Sequence, residues 1–212
     1  GAVKFAGLGA DENTEFEIGS VSKTFTAELL RQAVERGEVT LDTTVGEILD
    51  DADMSTSDIT LKELATHTSG LPRILGISAF AVAISMQRKQ NPYDGFTTQR
   101  ILDEARTATL ADRGTYDYSN FGMALLGHLL ARRAGTTYAQ LAQERIFTPL
   151  GMSNTYVMTP ETTPANAPRG LDITGHLTAA WDDEGYGPAG GIRSTAADMT
   201  HFMKHLLAQG LP

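Results

Sequence analysis

The chain changes from extended to helical character after its first 19 residues, and this change constrains the fold more than any other feature. Before it, the segments VKFAGLG and TEFEIG contain β-formers and are separated by the turn-like ADEN, which predicts a hairpin within residues 1–19. After it, apolar residues recur at every fourth position along one helix face: Val21, Phe25, Leu29 and Ala33. A short sheet segment followed by helices predicts an α+β fold.

The remainder of the chain is predicted to be a mainly helical lobe with loops. A further helix is expected over residues 120–133, and residues 155–191 are rich in proline and glycine, which indicates a long loop region. We expect one domain over residues 1–212, with the sheet in 1–19 and the helical lobe in 20–212. Three other helices carry capping-box start signals: Thr60 with Glu63, Thr137 with Gln140, and Thr195 with Asp198.

Composition argues against several classes of function. The formal net charge is −9 and the 17 lysines and arginines are dispersed, whereas binding to nucleic acids or anionic membranes requires concentrated positive charge. No apolar run approaches the roughly 20 residues needed to cross a bilayer. The absence of cysteine removes disulfides, thiolate metal sites and cysteine nucleophiles. We therefore expect a small-molecule or peptide substrate, with no nucleic-acid partner and no membrane insertion.

The string Ser20-Val21-Ser22-Lys23 stands where strand gives way to helix. Residues three apart share a helix face, so the Lys23 amine can reach the Ser20 hydroxyl. A serine hydroxyl is a weak nucleophile until a base accepts its proton, and a lysine can be that base when burial or nearby positive charge lowers its pKa. Backbone N–H groups at the helix N-terminus can stabilise a developing oxyanion. The alternative is a serine N-cap followed by a surface lysine.

A second string, Tyr118-Ser119-Asn120, directly precedes a predicted helix. A phenol can transfer protons when a cation lowers its pKa, and an amide can both donate to and accept from a substrate amide. The alternative is that Tyr118 is a half-buried aromatic residue and that Asn120 is a helix N-cap. Together the two strings favour nucleophilic catalysis.

Five segments, in the same order, resemble the serine β-lactamase family, which includes class C β-lactamases, D-alanyl-D-alanine carboxypeptidases and penicillin-binding-protein-like esterases. The segments are FEIGSVSKTFTA, LKELATHTSGLP, YDYSNFGMALLG, IFTPLGMSNT and PAGGIRSTAADMTHFM. The resemblance implies a β-lactamase/transpeptidase-like fold, in which a helical lobe packs on an antiparallel sheet. It also implies hydrolysis of a β-lactam, a D-amino-acid peptide or an ester. A bacterial periplasmic or secreted location would suit the family, and a cytoplasmic one is compatible with the sequence.

The same resemblance implies roles for individual residues. Ser20 would be the acylated nucleophile and Lys23 its proton acceptor. Tyr118 would be the general acid/base partner, and Asn120 would contact the amide of the substrate. The reaction would pass through an acyl-enzyme that water hydrolyses, with no metal or organic cofactor.

The third motif of the family is expected after the Gly190-Gly191 pair. It consists of a Lys or His followed by a small residue and Gly, and no such string lies between this pair and Pro212. The resemblance therefore predicts a chain truncated at both ends, with an incomplete sheet. Self-association, or pairing with a missing C-terminal segment, would complete that sheet. The alternative function is a non-catalytic fragment or homologue that serves as a binding or assembly module.

Three smaller groups leave alternatives open. Gly190 and Gly191 could let a substrate approach the backbone or could simply form a turn. His201 and His205 are four apart on a predicted helix, but no third ligand has suitable spacing, so a solvated face is expected rather than a metal site. The acidic run at residues 182–184 is likewise expected to be a solvated loop rather than a cation site.

Overall fold

Helices form most of the regular structure. The computed structural model describes residues 3–88, 90–172 and 174–210. A 3₁₀ turn at Gly19–Val21 leads into the first helix, and a π-helical turn at Gln143–Phe147 continues the seventh. In chain order the helices are α1 (Ser22–Glu35), α2 (Val45–Leu49), α3 (Leu61–Ala65), α4 (Ala79–Gln87), α5 (Thr98–Arg106), α6 (Asn120–Ala134), α7 (Tyr138–Ala142), α8 (Gly187–Gly190) and α9 (Ala196–Ala208).

The predicted helix starts are confirmed by their capping hydrogen bonds. Thr60 and Thr137 form complete capping boxes, in which the threonine oxygen and the side chain three residues on each accept a backbone N–H. Thr195 accepts the backbone N–H three residues on and so begins α9. A further complete box at Thr44 begins α2, which the sequence patterns did not predict.

The sheet has three antiparallel strands in the order β1-β3-β2. They are, in chain order, β1 (Glu15–Glu17), β2 (Tyr156–Val157) and β3 (Ile192–Thr195). Residues 3–9 form no strand, so the hairpin predicted within residues 1–19 is wrong. Phe16 of β1 instead lies opposite Ser194 of β3. An isolated two-stranded hairpin is only marginally stable. All four residues of β3 are buried, so the rest of the fold stabilises the strand with which β1 pairs. The α+β class is confirmed.

The centre of the helical body is α6. All residues from 121 to 131 are buried, as expected for a helix that is surrounded by other elements. The helices α1, α3, α5 and α8 pack against it. Phe25 and Leu29 of α1 are fully buried in the resulting core. Each such side chain stabilises the fold by about 2–3 kcal/mol through removal of apolar surface from water.

The short helix α8 approaches α6 and α1 closely. A Cβ atom at Gly127 of α6 would lie 2.3 Å from Cβ of Pro188, so glycine is required for this approach. A Cβ atom at Gly191 would lie 2.8 Å from Cα of Gly187, which makes Gly191 necessary for the turn that follows α8. The hydroxyl of Thr26 in α1 donates to the Pro188 carbonyl at 2.8 Å. These contacts fix the carbonyl groups of α8 beside the start of α1.

The helix α9 packs through Phe202, whose ring stacks on Phe25 with a centroid distance of 3.9 Å. A ring nitrogen of His205 lies 2.8 Å from the buried carboxylate of Glu28, and a ring nitrogen of His201 lies 2.7 Å from a backbone carbonyl oxygen. The prediction of a solvated face is therefore wrong at His205, which is partly buried against Glu28, whereas His201 is exposed as predicted. Among the described residues no three His, Cys, Asp or Glu side chains group as metal ligands would, and no helix has the length and apolar character needed to span a bilayer.

Candidate active site

Ser20 lies at the junction between the sheet and α1. The Ile18 N–H donates to the Ile192 carbonyl of β3 at 3.0 Å, which fixes the chain just before the junction. Gly19 then adopts φ 52°, a left-handed conformation that glycine accepts without a Cβ penalty. The chain thereby turns from β1 into α1, and Ser20 remains exposed at the turn.

Lys23 is buried behind Ser20 and contacts its hydroxyl. The Lys23 Nζ atom donates to Ser20 Oγ at 3.0 Å and also to the Ala189 carbonyl of α8. Burial lowers the pKa of Lys23, and the positive charge of Arg73 adds to that effect, while the interaction with Tyr118 opposes it. A lysine with a lowered pKa holds more of the neutral amine that can accept a proton. The surface-lysine alternative is thus wrong.

The Tyr118 hydroxyl donates to the same oxygen, Ser20 Oγ, at 2.8 Å. Two basic side chains lie over its ring, with Lys23 Nζ at 4.9 Å and Arg73 Cζ at 5.0 Å from the ring centroid. Burial opposes ionisation of the phenol. Even so, the hydrogen bonds with Lys23 and Ser20 and the two positive charges leave the pKa of Tyr118 below its ordinary value. The phenol is therefore prepared to exchange a proton.

A second layer of residues holds Tyr118 in position. The His67 ring lies 4.6 Å from the Tyr118 ring, and its Nδ1 accepts the Ser119 N–H at 3.2 Å. Burial and the charge of Lys23 lower the pKa of His67, which keeps the imidazole neutral. Ser119 is the N-cap of α6, since its hydroxyl accepts the Gly122 N–H at 2.8 Å. The alternative that Asn120 is the N-cap is therefore wrong.

The remaining predicted site residues line one cleft with Ser20. Its volume is about 290 Å³, and Asn120, Gly190 and Gly191 are part of its lining. A Cβ atom at Gly190 would make only ordinary contacts with Gly19, so this position leaves room for a ligand. The structure thus brings Ser20, Lys23 and Tyr118 into direct contact. The Asn120 amide and the Gly190–Gly191 pair line the cleft beside Ser20.

Another part of the lining escaped the sequence patterns. It includes Tyr93, Trp181, Asp183 and Tyr186. Asp183 is buried, and burial, with a smaller contribution from the charge of Asp182, raises its pKa to about 7. The solvated loop predicted for residues 182–184 is therefore wrong at this position. The one available signal was the single tryptophan of the sequence, which directly precedes the acidic run.

Comparison with known proteins places these features in a family context. The beta-lactamase family model matches residues 2–212. A beta-lactamase from Pseudomonas fluorescens is 31% identical over 201 residues, covering 91% of this chain and 51% of the relative. The D-alanyl-D-alanine-carboxypeptidase/endopeptidase AmpH of Escherichia coli (strain K12) is 29% identical over 199 residues, covering 90% of this chain and 48% of the relative.

Solved structures show the same similarity. A class C beta-lactamase from Rhodobacter sphaeroides matches with a TM-score of 0.74 and 29% identity, covering 93% of this chain and 52% of that chain. An octameric penicillin-binding protein homologue from Pyrococcus abyssi matches with a TM-score of 0.72 and 27% identity, covering 94% of this chain and 46% of that chain. The chain thus spans about half the length of the relatives that it matches.

Proposed function

Because this chain belongs to the beta-lactamase family and has its β-lactamase/transpeptidase-like fold, we propose that it is a serine acyl-hydrolase that forms an acyl-enzyme on Ser20. The proposal rests on the two hydrogen bonds to the Ser20 hydroxyl oxygen, from Lys23 at 3.0 Å and from Tyr118 at 2.8 Å. Both partners have lowered pKa values. A nucleophile between two such groups can be deprotonated near neutral pH.

In the proposed acylation, the neutral Lys23 amine accepts the Ser20 proton as the oxygen attacks the carbonyl carbon of the substrate. The Ala189 carbonyl, which accepts a hydrogen bond from Lys23, favours the resulting ammonium and keeps it oriented. Tyr118 then delivers a proton to the departing nitrogen or oxygen and recovers one from Lys23. The carbonyl–heteroatom bond breaks, leaving the ester on Ser20. In deacylation a water molecule gives up its proton to the same pair and releases the acid and the serine hydroxyl.

The substrate classes that we propose are β-lactams, D-amino-acid peptides and simple esters. The names of the relatives include a beta-lactamase and a D-alanyl-D-alanine carboxypeptidase/endopeptidase. Asn120 lines the cleft beside Ser20, and its amide can pair with the amide that β-lactams and peptides both carry. Gly190 leaves the backbone open to the same ligand.

The test is labelling with a fluorophosphonate probe, read by intact mass. The parent chain is expected to gain a single adduct, and Ser20→Ala is expected to gain none. Ser153→Ala is the matched control, since this exposed serine lies outside the cleft lining. Equal labelling of the parent and Ser20→Ala would refute the assignment of the nucleophile.

A second candidate function is a binding or assembly module without turnover. The observation in its favour is the small sheet, since in the described part of the chain β1 and β2 each pair on one side only. Phe16 of β1 is also half exposed. Such an edge can pair with another copy or with a further segment of a longer protein. A monodisperse monomer in light scattering would count against pairing with another copy, and Ser20-dependent turnover would rule out the non-catalytic function.

A further inference from the structure

One wall of the cleft is aromatic, and the acylation steps proposed above do not use it. This aromatic wall consists of Tyr93, Trp181 and Tyr186. The Tyr93 ring centroid lies 5.7 Å from that of Trp181 and 4.9 Å from that of Tyr186. The Tyr186 hydroxyl is fixed, because it donates to the Leu75 carbonyl at 3.1 Å and accepts the Leu75 N–H at 3.2 Å. Tyr186 is therefore held in one orientation within this wall, and Tyr93 packs between it and Trp181.

Asp183 belongs to the same lining and is only 7% exposed. Its Oδ1 atom accepts the Tyr186 N–H at 2.7 Å. Within the described residues its other oxygen has no hydrogen bond from another residue, and no lysine, arginine or histidine forms an ion pair with the carboxylate. Burial, followed by the charge of Asp183, raises the pKa of Tyr93, while the positive charge of Arg73 opposes this rise, and the net shift keeps the nearby phenol neutral. A buried carboxylate without a cation opposes folding, which suggests that it serves a ligand.

The other charged residue in the described cleft lining already has a partner, and just outside the lining Arg73 faces the Tyr118 ring, with its Cζ atom 5.0 Å from the ring centroid. Glu17 accepts a hydrogen bond from Arg193 at 2.6 Å in an ion pair. Lys23 directs its amine nitrogen toward Ser20 and the backbone of α8. Among the described lining residues, Asp183 is thus the charge that lacks a counter-ion. An organic cation would supply one, and aromatic rings attract such cations through their electron-rich faces.

We propose that the aromatic wall and Asp183 form a subsite for an ammonium group carried by the substrate. This inference rests on the acyl-hydrolase function, because it names the class of substrate that the Ser20 site would prefer. The cleft, at about 290 Å³, suits a small ester or amide whose substituent bears the cation.

Trp181 provides a binding readout that does not depend on catalysis, because it is the single tryptophan of the sequence and lines the cleft. Choline and its neutral isostere 3,3-dimethylbutan-1-ol would be titrated while its fluorescence is followed. We expect choline to bind about tenfold more tightly. Asp183→Asn keeps the oxygen that accepts the Tyr186 N–H and should lose most of this preference. Asp182→Asn removes the same charge outside the cleft lining and should retain it.

Equal affinities for the two ligands, or no saturable response to choline, would overturn the inference. So would an unchanged preference in Asp183→Asn, after circular dichroism has shown that the variant is folded.

Hydrolysis separates a failure of this inference from a failure of the proposed function. The matched esters are acetylcholine and 3,3-dimethylbutyl acetate, compared by kcat/KM. A preference for acetylcholine that Asp183→Asn loses and Asp182→Asn keeps would support the subsite. Equal Ser20-dependent hydrolysis of both esters would overturn the subsite and leave the acyl-hydrolase intact. Charge-dependent choline binding without hydrolysis of either ester would support the subsite and count against the acyl-hydrolase.

Discussion

Replacing Asp183 by asparagine is expected to stabilise the protein, and to do so increasingly as the pH rises. Burial raises the pKa of this carboxyl from the ordinary 3.8 to about 7 in the folded protein. The folded state therefore holds the proton more tightly than the unfolded chain does. The favourable contribution to stability is complete below about pH 4 and is lost as the pH rises through about 7. Asparagine has nearly the same shape but does not ionise.

The structure sets the size of the effect. The folded pKa lies about three pH units above the ordinary value, and each unit corresponds to about 1.4 kcal/mol, which gives about 4 kcal/mol. The free energy of unfolding of Asp183→Asn should therefore exceed that of the parent by up to about 4 kcal/mol above pH 7. The difference should fall toward the acid limit, where both side chains are neutral.

The assay is urea denaturation followed by Trp181 fluorescence, repeated from about pH 5 to about pH 8. Asp182→Asn is the control, since Asp182 is less buried than its neighbour and should give a much flatter difference. If the difference between Asp183→Asn and the parent did not change with pH, Asp183 would not be a buried carboxyl with a raised pKa. The same result would remove the main physical reason for expecting a cation beside it.

Three further predictions concern the site and the core. Arg73→Gln removes a positive charge 5.0 Å from the Tyr118 ring, so the pKa values of Tyr118 and Lys23 should rise. The pH profile of probe labelling should therefore move to higher pH. The control Arg132→Gln, in the last turn of α6, should leave the profile in place. Phe202→Ala removes a fully packed ring and should lower the free energy of unfolding by about 3–5 kcal/mol in urea titrations, and a loss below about 1 kcal/mol would contradict the packing described here. Thr60→Ala removes the N-cap of α3 and should cost about 1 kcal/mol in the same assay, with an unchanged midpoint arguing against the capping box.

Local signals explain what could be predicted from the sequence. Several helices depend on residues that lie within a few positions of each other. They are the helix after residue 20, the helix beginning at Asn120 and the helices capped by Thr60 and Thr137. The contact between Ser20 and Lys23 has the same origin, because a single helical turn brings the two side chains together.

Contacts between distant segments explain what could not be predicted. β1 pairs with β3 and not with residues 3–9, the segment expected to form the other strand of a hairpin. No pattern within residues 1–19 specifies β3 as the partner. Burial raises the pKa of Asp183, and the aromatic wall in the same cleft lining comes from separate segments of the chain. Tyr93, for example, lies about 90 positions before Asp183. The hydrogen bond from His205 to Glu28 joins helices at the two ends of the chain. Such partners are chosen by packing, which leaves no short-range pattern.

The hydrogen bond from Lys23 to the Ala189 carbonyl has a consequence for how the protein matures. Its two ends are separated by 166 positions, so a nascent chain contains the whole Ser20–Lys23 turn long before the acceptor has been synthesised. Until α8 has docked, the lysine amine lacks both its orientation and the burial that lowers its pKa. Reactivity of the serine should therefore appear late, together with the completed tertiary structure, and a partly synthesised or misfolded chain would carry a chemically ordinary hydroxyl. Because the acceptor is a main-chain carbonyl, side-chain substitution at residue 189 changes this coupling only by displacing the backbone.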